Sequence, residues 1–378
     1  MTRTSIAPRV AVGDLPLWKG VQDKPGTIPL SFAFGFEQGL IRLAVESAIL
    51  DQVTQHYGEA DYSFITSPPG TSEWGNQRGN IHFEELAKSA GPLNGKTVLE
   101  IGSGTLYIAQ RVASELGVQK LIACDPALQS QSPAKAIEVV REYFTKDSFK
   151  GDSFDAVLSI NNLEHIPNPF EYLSTIRALL EKNAGAFFVV VPDCERSLRS
   201  GDVGICLHEH LSYFTESSLR SVLALCGLSV EYLHKQDDTL FALARPSAPA
   251  ILDVAQAESL LREFETKMTT SLDHARRMVE RHRNDTPLAI HGCSVGLNNI
   301  LHLLKLRHVE GLELFDGDSN KTGRYLGAYD RPIISSADER YPHMRTVLIA
   351  ASTFHDPIKR FAIGRGIAAE RILPLTPL

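Results

Sequence analysis

The chain has 378 residues, of which 43% are hydrophobic and 22% are charged, as in ordinary globular proteins. These values exclude a disordered, collagen-like or low-complexity chain, and the length predicts two to three domains. The formal net charge of −7 gives no reason to expect nucleic acid or an anionic membrane as a partner. A small molecule is the expected partner, and the sequence does not indicate an oligomeric state.

The N-terminus has no apolar run of signal-peptide length, and no stretch reaches the roughly 18 apolar residues of a membrane-spanning helix. The five cysteines form no C-x-x-C pair, so we expect reduced thiols and no metal site. The expected location is the cytoplasm.

Residues 1–90 have no long hydrophobic period and predict a cap or substrate lid. Residues 91–248 alternate short apolar runs with helix-period segments, which predicts βαβ units and a parallel sheet. Within them, residues 133–144 predict a helix, and residues 217–246 predict a helix followed by an antiparallel edge hairpin. Residues 249–285 predict a linker helix with one apolar face, and residues 286–378 a second, smaller α/β domain.

A loop between the first predicted strand of the central segment and its helix carries a nucleotide-type pattern. It reads Glu100-Ile101-Gly102-Ser103-Gly104, and the next strand ends in Asp125. Glycines at such a turn let the backbone pass close to a ligand, and a carboxylate at the tip of the second strand can accept ribose hydroxyls. The order of strand, glycine loop, helix, strand and Asp predicts a nucleoside site.

In these residues the sequence resembles the class I S-adenosylmethionine-dependent methyltransferases. The exit of the third strand is similar to that family's fourth motif, where Asn161, Asn162 and Leu163 would line the cofactor pocket. Tyr107 stands where dinucleotide-binding loops have their third glycine, which a cofactor without pyrophosphate tolerates. The resemblance implies an α/β, Rossmann-like methyltransferase domain with S-adenosyl-L-methionine as its cofactor.

The loop after the fourth strand contains His208, Glu209 and His210. Loops at the carboxyl ends of parallel strands form the ligand crevice, and a histidine beside a carboxylate can act as an acid or base near neutral pH. These three residues are therefore the candidate catalytic group. Zinc binding by the two histidines is disfavoured, because no third ligand stands nearby in the sequence.

The segment LHEHLSYF and the C-terminal part resemble the sugar C-methyltransferases that act on nucleotide-linked keto sugars. This resemblance implies that His210 is the base and that Tyr62, Phe64 and Tyr213 contact the substrate. The C-terminal pattern of that group is matched by Asp318, Asn320, Lys321, Gly323, Tyr325 and Leu326.

The sequence also departs from that group. Gly35 and Gln38 stand at positions where its members carry zinc-binding cysteines, and Leu207 replaces a substrate-binding tyrosine. We therefore expect a cap without metal, held by an apolar cluster packed against the methyltransferase sheet. Its members are Leu30, Phe32, Phe34, Phe36, Leu40, Ile41 and Leu43.

Three functions follow from these observations. The first is C-methylation of a keto sugar-like molecule with His210 as base. The alternatives are N- or O-methylation of a natural-product intermediate and a binding protein that retains the fold. For Glu164 and His165 the sequence favours a role in the cofactor loop over direct catalysis, and the glycine-containing turn at residues 291–296 favours a structural role or a contact to the tail of the substrate.

Overall fold

The computed structural model describes residues 6–58, 68–70, 73–128, 134–252, 256–351 and 354–377. The chain in these ranges forms three sheets with helices around them. None of the described helices is long and apolar enough to span a membrane. The cytoplasmic location stays a prediction.

The N-terminal sheet has four strands in the order β1-β2-β3-β9, and neighbouring strands are antiparallel. They are β1 (Val10–Pro16), β2 (Pro29–Glu37), β3 (Leu40–Leu43) and β9 (Ser212–Tyr213). Strands β2 and β3 are joined by Gln38 and Gly39, both at positive φ (49° and 80°), as in a type I′ hairpin. This hairpin occupies the positions where the resemblance would place a zinc-binding segment.

Two helices follow the first three strands, α1 (Ser47–Gly58) and α2 (Glu73–Ser89). Helix α2 packs on the central sheet through Phe83 and Leu86, which are buried with residues of strands β4 and β5 and helix α3. Most buried residues of strands β1–β3 lie in a different hydrophobic core, which is described below. The predicted cap of residues 1–90 is therefore divided between two places.

The central sheet has seven strands in the order β10-β11-β8-β7-β4-β5-β6. They are β4 (Thr97–Ile101), β5 (Lys120–Cys124), β6 (Ile137–Val140), β7 (Ala156–Ile160), β8 (Ala186–Pro192), β10 (Leu228–Gln236) and β11 (Thr239–Pro246). The five strands from β4 to β8 are parallel, and the β10–β11 hairpin is antiparallel. This sheet confirms the predicted α/β fold, including its antiparallel edge.

Helices α3 (Tyr107–Glu115), α4 (Pro169–Glu181) and α6 (Glu216–Leu225) pack on this sheet, and α5 (Glu195–Ser200) packs on the long helix that follows the sheet. The helix predicted for residues 133–144 is wrong for the described residues 134–144, because Ile137–Val140 form strand β6. The β-branched Ile137, Val139 and Val140 pair with the open edge of β5, so tertiary pairing overrides the local helical pattern.

Helix α7 (Gln256–His282) follows the central sheet and buries one face, as its apolar spacing predicts. The C-terminal sheet is parallel, in the order β14-β13-β12-β15-β16. Its elements are β12 (Leu288–His291), α8 (Val295–Leu303), β13 (Leu312–Asp316), β14 (Ile333–Ser335), β15 (Thr346–Ile349), α9 (His355–Gly364) and β16 (Ile372–Pro374).

One core joins the N-terminal sheet to α7 and the C-terminal sheet. Phe32 and Phe34 of β2 are buried in it together with Phe264 of α7 and Leu297 of α8. The predicted packing of the N-terminal apolar cluster against the methyltransferase sheet is thus wrong for most members, and Leu40 is the one that lies in the core of the central sheet. The physical reason is that α7 offers a long apolar face.

Candidate functional site

The glycine loop lies at the carboxyl end of β4, as predicted. Gly102 has a φ of 78°, and a Cβ atom there would lie 2.7 Å from Oδ1 of Asn162. Both the backbone angle and the close approach exclude a side chain at this position. At Gly104 (φ 49°) a Cβ would meet nothing within 4 Å, so the loop is open on that side.

Asp125 stands directly behind this loop at the end of β5. Its side chain is 1% exposed, Oδ2 accepts a hydrogen bond from the Gly104 amide (3.0 Å), and Oδ1 accepts one from the Ala127 amide (2.8 Å). A carboxylate has about four lone-pair positions, so two amide donors leave capacity for hydroxyl groups of a ligand. The structure brings the loop and the acidic residue together.

Glu100 is a further buried carboxyl in this loop, with 2% of its surface exposed. Burial, and next the nearby charge of Asp125, raise its pKa to about 8. Its Oε2 atom has no hydrogen-bond partner among the described residues. An unpaired buried oxygen beside an open glycine loop fits a ligand that carries hydrogen-bond donors.

The loop after β7 completes this edge of the sheet. Asn162 approaches Gly102, and its Nδ2 donates to the Tyr172 hydroxyl (3.1 Å). Asn161 has a positive φ of 48°. Leu163 is fully buried in the core of the central sheet, so its side chain does not face the crevice in this structure. The two asparagines thus lie beside the glycine loop.

The three residues of the His-Glu-His segment do not act as one group. His208 is 1% exposed, its Nε2 lies 3.2 Å from the carbonyl oxygen of Leu30 and 3.3 Å from that of Ser31, and its ring lies 5.2 Å from Phe32. This side chain anchors the loop to β2. The prediction that it faces the ligand crevice is wrong for this conformation.

His210 points to the loop after β7. The centroids of the His210 and His165 rings are 4.9 Å apart, and ligand atoms of Glu164, His165 and His210 all lie within 4.8 Å of one another. Glu209 contributes its backbone carbonyl, which lies 2.9 Å from Nδ1 of His165. The structure therefore joins two short segments that are 45 residues apart in the chain.

Burial controls the protonation of these groups. It lowers the pKa of His165 to about 4 and the pKa of His210 further below its usual range, where the charge of His165 adds to the effect. It also raises the pKa values of Glu164 and Glu209 to about 8. Arg78 of α2 acts on Glu164 in the opposite, smaller sense. Both imidazoles are neutral at pH 7.

Backbone hydrogen bonds hold the two loops together. The Leu211 amide donates to the Glu164 carbonyl (2.7 Å), and the Leu43 amide of β3 donates to the Leu211 carbonyl (3.1 Å). Arg42, the neighbour of Leu43, donates from Nη2 to the Pro167 carbonyl (2.6 Å). The N-terminal sheet therefore braces both loops from outside the central sheet.

The residues predicted to contact substrate have different outcomes. Tyr213 is fully buried, its hydroxyl donates to the Leu207 carbonyl (3.0 Å), and its ring packs edge-on against Phe34 at 4.8 Å. Its position gives no support to a substrate contact. Tyr62 and Phe64 lie outside the described residues.

Glu164 and His165 were predicted to serve the cofactor loop, and the structure also places them beside His210. Their position directly after a strand that ends at the ligand edge was the available signal. The sequence could not supply their distance to a loop beyond β8.

The central segment also matches known proteins. Residues 78–233 match a family model described as methyltransferase domain. The chain is 29% identical over 173 residues to the C-methyltransferase NovU of Streptomyces niveus, a match covering 43% of this chain and 40% of that protein. It is 23% identical over 158 residues to a ubiquinone biosynthesis O-methyltransferase of Dinoroseobacter shibae, covering 37% of this chain and 63% of that protein.

The matches span less than two thirds of the length of both relatives. Among solved structures, an S-adenosylmethionine-dependent methyltransferase from Mesorhizobium loti has a TM-score of 0.35 at 13% identity, with 43% of this chain and 96% of that chain covered. The parallel sheet with its glycine loop agrees with the match of residues 78–233 to a methyltransferase domain, and it indicates S-adenosylmethionine as the cofactor.

Proposed function

We propose that the chain is a methyltransferase that transfers the methyl group of S-adenosylmethionine to a small molecule. One observation carries the proposal: Gly102 of the cofactor loop touches Asn162, two residues before Glu164, so the cofactor residues adjoin the cluster with His210. A methyl donor and a group able to remove a proton are the two needs of such a transfer.

The residues of the chain divide these tasks. Asp125 and the loop at Gly102 and Gly104 bind the nucleoside part of the cofactor, and the cofactor supplies an electrophilic methyl group on a sulfonium. His210 accepts the proton that leaves the acceptor.

The first candidate acceptor is a keto sugar-like molecule that is methylated at carbon. Removal of a proton beside a ketone requires a base, and His210 is positioned on the loop that the resemblance assigns to it. Similarity to NovU, a C-methyltransferase, supports this choice. Methylation at oxygen is the second candidate, because the other relative is an O-methyltransferase and Leu207 replaces a substrate-binding tyrosine of the sugar enzymes.

Calorimetry tests cofactor binding. We expect S-adenosylmethionine and its demethylated product to bind the wild-type chain, and Asp125→Ala to weaken binding by about 1–3 kcal/mol, since hydroxyl partners lose their acceptor. The control is Asp152→Ala, a change at an exposed carboxylate. Absence of binding to the wild-type chain would refute the proposed cofactor site.

A panel assay for release of the demethylated cofactor tests the acceptor class. Keto sugars, amines and hydroxy acids are offered in turn. For a carbon acceptor, His210→Ala is expected to lose about 10²–10⁴ in rate, the range for removing a positioned base. The exposed His308→Ala serves as control. Near wild-type activity of a folded His210→Ala variant excludes His210 as the base.

A further inference from the structure

Glu164, His165 and His210 form a cluster of three side chains that can each offer one ligand atom to a metal ion. One carboxylate oxygen and one ring nitrogen from each histidine lie within 4.8 Å of one another. We propose that these three side chains bind one divalent first-row transition-metal ion. The inference rests on their geometry and does not depend on the proposed function.

The first argument is the unpaired oxygen of Glu164. The residue is 2% exposed, and its Oε2 has no hydrogen-bond partner among the described residues, while Oε1 lies 3.9 Å from Nε2 of His165. A buried acceptor that lacks a partner costs more free energy than an ordinary hydrogen bond gains. A cation at the cluster provides the missing partner.

The second argument is the orientation of His165. Its Nδ1 lies 2.9 Å from the Glu209 carbonyl oxygen, and a carbonyl accepts, so Nδ1 carries the proton. The other nitrogen, Nε2, therefore presents its lone pair to Glu164 and the cluster. Metal-binding histidines are fixed in this way by a backbone carbonyl on the far ring nitrogen.

The third argument is the support behind the ligands. The Leu211 amide bonds to the Glu164 carbonyl, so the backbone next to His210 is tied to the backbone of the carboxylate ligand. Metal bonds of about 2.0–2.2 Å place ligand atoms roughly 3–4 Å apart, so side-chain rotations of the order of 1 Å close the site. The loops need not move.

The donor set indicates the class of ion. Two imidazoles and one carboxylate suit zinc, iron, cobalt or nickel, whereas calcium and magnesium prefer oxygen ligands. Three protein ligands leave at least one coordination position open to another ligand. His210 cannot accept a proton while its lone pair holds an ion, so the metal-bound and base forms are different states of one residue.

The experiment measures metal binding to the full chain without cofactor or acceptor. Chelator-treated protein is titrated with Co²⁺ and with Zn²⁺, followed by calorimetry, elemental analysis and the visible spectrum of the cobalt form. We expect one ion per chain and cobalt bands typical of nitrogen and oxygen ligands. Glu164→Gln and His210→Gln, which keep side-chain volume, should each weaken binding at least about 100-fold, more than loss of a supporting contact.

The matched control is Glu209→Gln, because Glu209 supports His165 through its backbone and should leave affinity within about threefold. Circular dichroism checks that every variant folds. The proposal is overturned if the wild-type chain binds no ion, or if the folded Glu164→Gln and His210→Gln variants bind as tightly as wild type. Methyl transfer by metal-free protein would leave the proposed function intact and remove any need for the ion, whereas binding of an ion without methyl transfer would support this inference alone.

Discussion

Leu106 combines backbone strain with deep burial. It precedes α3 with a φ of 61°, in the left-handed region, and its side chain is 1% exposed in the core beneath α2. The leucine thus stabilises by packing while the backbone costs about 1–3 kcal/mol in strain.

This balance predicts an unusual order of variants. Leu106→Ala and Leu106→Gly both lose the buried side chain, at a cost of about 2–5 kcal/mol, but glycine also relieves the strain. We expect Leu106→Gly to be the more stable of the two by denaturant unfolding. At Val112, inside α3 with ordinary helical geometry, the alanine variant should be the more stable one. The same order at both positions would contradict the strain argument.

At this scale the sequence indicated the glycine loop with its acidic residue and named His210, but it did not predict that His210 lies beside Glu164 and His165. Glu100, Gly102, Gly104 and Asp125 follow one another in a local strand, loop and helix pattern, so their proximity is fixed by the βαβ unit. The cluster with His210 depends on how two loops of different length fold back at one edge. No local sequence pattern encodes that distance. The inward orientation of His208 and Tyr213 also depends on contacts with strand β2, which is distant in the sequence.

Among the elements, the β2–β3 hairpin offers a direct test of turn chemistry. Gln38 is exposed at the first position of the type I′ turn, where asparagine is preferred because it tolerates positive φ. Gln38→Asn should raise the free energy of unfolding by roughly 0.5–1 kcal/mol. The same change at Gln110, an exposed residue inside α3, should lower it. A destabilised Gln38→Asn variant would show that the turn is held by other contacts.

The secondary-structure predictions were right where a hydrophobic pattern repeated over many residues, and wrong where pairing with a neighbouring strand determined the structure. The 27 residues of α7 repeat a helical pattern many times. The four residues of β6 repeat nothing and form a strand because β5 has a free edge. The two-residue β9 is likewise specified by its partner β3 and not by its own residues.

At the scale of the whole molecule, helix α8 of the C-terminal part forms hydrogen bonds and close contacts with the loop that leads to His210. Asn299 of α8 is fully buried, and its Nδ2 donates to the carbonyls of Val203 (2.9 Å) and Cys206 (3.1 Å). At Gly296 a Cβ atom would lie 3.1 Å from Cα of Gly204, so this glycine permits the contact between α8 and the loop. The glycine-containing turn thus has the structural role that the sequence allowed.

Loss of these hydrogen bonds should make the loop that leads to His210 more mobile. Asn299→Ala removes the donor to the Cys206 carbonyl and one of two donors to the Val203 carbonyl, which also accepts from the Cys206 amide. We expect a loss of about 1–3 kcal/mol in stability. Hydrogen exchange of the amides at residues 203–210 should become faster, while that of the β4–β8 strands changes less. The exposed Asn183→Ala is the control. Unchanged exchange at residues 203–210 would mean that the central sheet alone orders this loop.

The pairing of β3 with β9 also governs the order in which the chain can fold as it is made. Leu43 ends β3 and Tyr213 ends β9, about 170 residues later. At about 5–20 residues per second of synthesis, the edge of β3 waits roughly 10–30 s for its partner. Phe264, which packs on Phe34 at 5.1 Å, emerges later still. Strands β2 and β3 therefore leave the ribosome well before the residues that bury them, and the nascent chain must keep their apolar faces from other chains until Phe264 has been made.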